Sequence, residues 1–105
     1  LELNPLFSQI KDLQGRVEAL GGIFDFDAKR ERLEEVSREL EDPNIWNDPE
    51  KAQSLGRERA QLDHVVGNLA TLTDSLSETR ELLELAQEEN DEDTVQAVEA
   101  DLERF

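Results

Sequence analysis

At 105 residues the chain is the size of one small domain, or of a piece of something larger, and its charge is lopsided: 27 acidic against 11 basic side chains, a formal net charge of −16. That balance repels a bare phosphate backbone and argues against broad nucleic-acid binding. The absence of cysteine excludes disulfides and thiolate metal sites.

Hydrophobic residues make up 36% of the chain, enough for a modest core. No apolar run approaches the ~20 residues needed to span a bilayer, and nothing near the start resembles a signal peptide. The first residue is Leu1 rather than Met, so a natural start upstream is expected.

Asn4-Pro5 reads as the opening of a first helix, with Asn4 as cap and Pro5 in the first turn. Leu6, Ile10, Leu13, Val17 and Leu20 follow at spacings of four and three, one apolar stripe of a helix. Gly21-Gly22 is expected to end it, since glycine accepts the left-handed conformation common at helix C-termini. A short apolar corner, Ile23-Phe24, then leads to Asp25 or Asp27, either of them a suitable N-cap.

The second helix should run to about Leu40 with Phe26, Leu33, Val36 and Leu40 on its buried face. Lys29, Arg30 and Arg32 form the densest basic spot in the chain. The plainer reading pairs them with Glu31, Glu34, Glu35 and other local acids. Pro43 stops this helix, because it lacks the amide that the ladder requires and disfavours helical geometry at Asp42. Asp48-Pro49 starts the next one. Between them lies the chain's only tryptophan, Trp46, in the stretch Asn44-Ile45-Trp46-Asn47. With Ile45, Trp46 is expected to fold back as an apolar plug over the helix junction, the alternative being an exposed docking anchor.

A third helix is predicted from Pro49 to about Glu89, ~60 Å at 1.5 Å per residue. Leucines at 55, 62, 69, 76 and 83 recur every seven residues, the mark of a helix packed lengthwise on other helices. Val65, Val66, Leu72, Leu82 and Ala86 flank that stripe. Gly56 and Gly67 interrupt it at a cost of roughly 1 kcal/mol each relative to alanine, for a close helix approach or a bend. A polar turn at 90–93 should be capped by Asp93 or a neighbour. Val95, Val98, Leu102 and Phe105 then repeat at three and four in a helix expected to continue past Phe105.

The fold class is therefore all-α, a bundle of three to four helices built on one long helix. Candidate chemistry is sparse. The sole histidine, His64, points away from the leucine stripe and makes neither a triad nor a metal site. The acidic turn lacks the glycine and the terminal glutamate of a calcium loop when counted from Asp91. No glycine-rich phosphate loop occurs. No cofactor, metal or catalytic residue is expected, and the residues describe an acidic helical module that docks on or positions a partner.

The run FDFDAKRERLEEVSRELEDPNIWNDPEKAQSLGRER at 24–59 resembles the N-terminal domain of the bacterial peptide chain release factor 2 family. The features that carry the resemblance are Asp25-Phe26-Asp27-Ala28-Lys29, then Arg32-Leu33-Glu34-Glu35, the Pro43 to Pro49 segment around Trp46, and Ala52-Gln53-Ser54-Leu55. The flanking helices agree in pattern across the whole chain. The resemblance implies one helical domain over 1–105, from a cytoplasmic class-1 termination factor of the UGA/UAA type. It further implies docking at the stalk base, or GTPase-associated region, of the large ribosomal subunit and interplay with the release-factor GTPase. Lys29, Arg30 and Arg32 are then candidates for a limited docking face. The Ser-Pro-Phe and Gly-Gly-Gln motifs of codon reading and hydrolysis do not occur in these residues, so no catalysis by this chain alone is expected. The alternative is a free-standing acidic coiled coil that dimerises through the leucine stripe or acts as an adaptor.

Overall fold

The computed structural model describes residues 2–105, which form four helices and one 3₁₀ turn: α1 (Asn4–Ile23), α2 (Phe26–Glu41), the turn Pro43–Asn47, α3 (Pro49–Glu89) and α4 (Glu92–Leu102). No strand occurs among the described residues. The chain divides into two units: one takes α1 through Ala19, α3 from Thr71, and α4; the other is Leu20–Ala70. The 41 residues of α3 serve both.

In the first unit, Leu3 and Ile10 meet Leu83 and Ala86 of α3 and Val95, Val98 and Leu102 of α4, with Leu6, Phe7 and Leu13 packed on them. The sequence stripe thus gains Leu3 and Phe7. It loses Leu20, which is 39% exposed. Asn4 does not cap α1: it is the first helical residue, and its amide donates to the Glu2 carboxylate at 2.9 Å. The Leu3 carbonyl takes the first helical bond, from the Phe7 amide.

The α3–α4 corner is closed from both sides. Asn90 adopts the left-handed conformation at φ 53°, and the amides of Asn90 and Asp91 return to the carbonyls of Gln87 and Ala86, a Schellman-type helix end. Asp91, a neighbour of the expected Asp93, is the N-cap of α4. Its carboxylate accepts from the Thr94 amide at 3.1 Å and the Thr94 hydroxyl at 2.6 Å. These bonds hold its pKa below the ordinary aspartate value. The α-helix stops at Leu102, and Phe105 lies outside it.

In the second unit, Val36 of α2, Ile45 of the turn, and Ala52, Leu55 and Leu62 of α3 form the core, flanked by Leu33 and Leu40. Along α3 the leucines at 55, 62, 69, 76 and 83 are 0–9% exposed, so the seven-residue repeat is consumed within the single chain. Leu82 departs from its expected flanking role and faces solvent. A Cβ built at Gly56 or Gly67 would meet nothing within 4 Å, which excludes a close helix approach at either position.

Candidate docking surface

Two surface features of the Leu20–Ala70 unit stand out: the basic corner where α1 passes into α2, and the turn between α2 and α3. The glycine pair does not end α1. The helix passes through Gly21-Gly22 to Ile23, and the left-handed residue is Asp25, at φ 52° and ψ 53°. Glycine tolerates helical geometry at a modest cost, and aspartate is one of the few residues with a Cβ that visits the left-handed region. Asp25 is the N-cap of α2 through its backbone carbonyl, which accepts from the Lys29 amide at 3.0 Å. Its side chain makes no capping bond, and Asp27 lies inside the first turn. Ile23 and Phe24 are exposed.

The three cations that the sequence groups together perform separate tasks. The Lys29 ammonium donates to the carbonyl of Phe24, one residue past the end of α1. Arg30 lies 5.6 Å above the Phe26 ring and 3.6 Å from Asp27. Arg32 reaches across to α3 and grips Glu58 with two parallel bonds, 2.7 Å from Nε and 2.8 Å from a terminal nitrogen. Its other terminal nitrogen donates to Glu35 at 3.2 Å. This fork is a clamp between helices. Bonding to Glu58 and then to Glu35 raises the Arg32 pKa, and the same bond to Arg32 lowers that of Glu58.

Of the local acids expected as partners, Glu35 pairs with Arg32 and Asp27 with Arg30, whereas Glu34 pairs with Arg38 instead. The missed partner, Glu58, carried a signal. It lies three residues after Leu55 and four before Leu62, on the packing face of α3, where a carboxylate calls for a counter-charge.

The α2–α3 turn is built by two aspartates. Asp42 accepts from the Asn44 amide at 2.9 Å, and Asp48 accepts from the Lys51 amide at 3.2 Å with Pro49 next in the chain. Between them the Ile45 amide bonds to the Asp42 carbonyl and the Asp48 amide to the Ile45 carbonyl. The expected plug is half right. Ile45 is 8% exposed and enters the core, whereas Trp46 is 69% exposed. In a 3₁₀ turn successive side chains rotate by about 120°, so neighbouring apolar residues cannot both face inward. His64, also exposed, has its ring 3.5 Å from the Asn68 amide.

The fold and its composition define an acidic all-helical protein. A family model for the PCRF domain matches residues 29–105, and the chain belongs to the PCRF-domain family of bacterial peptide chain release factors. It is 56% identical over 104 residues to peptide chain release factor 2 of Stenotrophomonas maltophilia, covering 99% of this chain. It is 55% identical over its full 105 residues to that of Xanthomonas euvesicatoria. With the Haemophilus influenzae factor the identity is 51% over 104 residues, again 99% of this chain. The chain spans 28% of the length of each of these relatives. No helix among the described residues is long and apolar enough to cross a membrane.

Proposed function

We propose that this chain is the N-terminal, ribosome-docking module of a cytoplasmic class-1 termination factor of the UGA/UAA type. In this role it contacts the stalk base of the large subunit and takes part in interplay with the release-factor GTPase. The observation that carries the reading is identity of 51–56% to release factor 2 relatives along virtually the whole chain. Codon reading and hydrolysis belong to other regions of such a factor, so this module contributes placement rather than chemistry. A net charge of −16 fits contacts confined to ribosomal protein or to a small basic face rather than broad neutralisation of RNA. Lys29 and Arg30 are the proposed basic face, with Arg32 supporting it through its grip on Glu58.

A free-standing coiled coil joined through the leucine stripe would need that stripe open, and its leucines are already buried in the single chain. Docking is tested by sedimenting the chain with purified large ribosomal subunits and with subunits stripped of stalk-base protein. Binding to intact subunits alone is expected, and equal binding to both contradicts the stalk-base assignment. A Lys29→Glu/Arg30→Glu variant, which leaves the Arg32–Glu58 clamp in place, should bind more weakly with unchanged helicity. Unchanged binding would remove the basic corner from the docking face.

A further inference from the structure

Trp46 is the largest of the exposed hydrophobic side chains, and it is not part of the core at the α2–α3 junction, to which the turn contributes Ile45. Its position is nevertheless held firmly. Proline stands on either side, at 43 and 49. The capping bonds of Asp42 and Asp48 and two backbone bonds across the turn fix the backbone between them. A tryptophan displayed on a backbone already in place loses little conformational freedom on binding.

The surroundings specify the partner. Residues 39–50 contain Glu39, Glu41, Asp42, Asp48 and Glu50 and no lysine, arginine or histidine, and all five acids are exposed. An indole flanked in sequence by five exposed carboxylates repels nucleic-acid phosphates and anionic lipid. It is complementary to a surface rich in lysine and arginine. There the indole offers both apolar area and a face for a guanidinium.

We propose that the α2–α3 turn is a docking tip for a basic protein surface, with Trp46 as the anchor and Glu39, Glu41 and Glu50 as its acidic rim. This rests on the docking reading above and assigns that reading its protein-facing contact, separate from the Lys29/Arg30 corner at the other end of α2. Buried tryptophans dominate many interfaces, whereas rim charges contribute less each and mainly govern association rate and salt dependence.

The test uses the 105-residue chain, purified large ribosomal subunits as the probe, and protein-free ribosomal RNA as competitor. Trp46→Ala should raise the apparent Kd roughly tenfold or more, and Glu39→Lys/Glu41→Lys should raise it several-fold, with a shallower salt dependence. Melting of Trp46→Ala should match that of the parent, because the side chain is already in solvent. If the parent binds and Trp46→Ala binds equally well, the tip is overturned while the docking reading stands. Trp46-dependent competition by protein-free RNA overturns the choice of a protein partner. If the parent does not bind at all, the docking reading falls and the tip falls with it.

Discussion

The two units solve the same problem, covering one face of α3, with different materials. In the unit formed by α1, α4 and α3 beyond Thr71, aliphatic side chains close the core. Ile10, Leu76, Leu83 and Val98, four of the five largest fully buried side chains among the described residues, lie there. The Leu20–Ala70 unit contributes only Val36 to that set. Its core is supplemented by the Arg32–Glu58 clamp, and its stretch of α3 carries both Gly56 and Gly67. The Leu20–Ala70 unit exposes Leu20, Ile23, Phe24 and Trp46, and the other unit exposes Leu82, Leu85 and Phe105. In a chain this acidic, core and surface draw on the same few apolar residues, and both units leave some of them in solvent.

The largest effects should come from deleting the same side chain in each unit. Leu83→Ala, at a site with 0% exposure, and Leu55→Ala, at 6%, should each cost about 2–5 kcal/mol in denaturant unfolding, with Leu83 the more costly. A larger loss at Leu55 would break the comparison. Next come the glycines. With open space where a Cβ would stand, Gly56→Ala and Gly67→Ala should each stabilise by about 1 kcal/mol. Amide exchange should show the gain in the 49–70 stretch of α3 first.

The smallest effects are electrostatic and depend on pH. The folded-state pKa of Glu58 lies below its unfolded value. Its contribution is therefore complete above about pH 4.3 and is lost as pH falls through the folded value. Asp91 behaves alike in the other unit, from about pH 3.9 downward. Arg32 stays charged throughout this range. Protonation also relieves the self-repulsion of the acidic chain, so the quantity to measure is the difference in melting temperature between the parent and Glu58→Gln. That difference should be present at pH 7 and vanish in acid, and salt should reduce it because the pair is about two-fifths exposed.

Much of this arrangement was legible in the residues. The bounds of α3 follow from Asp48-Pro49 at one end and the Asn90-Asp91 turn at the other, and its buried stripe follows from the leucine repeat, because helix periodicity and capping are local. Features decided by geometry at a distance were not legible. Gly21-Gly22 is compatible with either a helix or its end, and the reversal falls on Asp25 instead. Arg32 has acids within four residues on its own helix, yet its strongest partner lies 26 positions away, which spacing rules for one helix do not reach. At the turn, size favoured Trp46 as the plug. The rotation of a 3₁₀ turn admits one of two neighbours, and Ile45 takes the place.

The claim that joins fold to docking is that the turn points Ile45 inward and Trp46 outward. Because Trp46 is the only tryptophan, its fluorescence reports on that claim alone. In the folded chain it should emit at the wavelength of free tryptophan in water and be quenched by iodide or acrylamide almost as readily as in the unfolded chain. Emission shifted strongly to the blue and protected from quencher, in a monomer, would place the indole in the core and contradict the account.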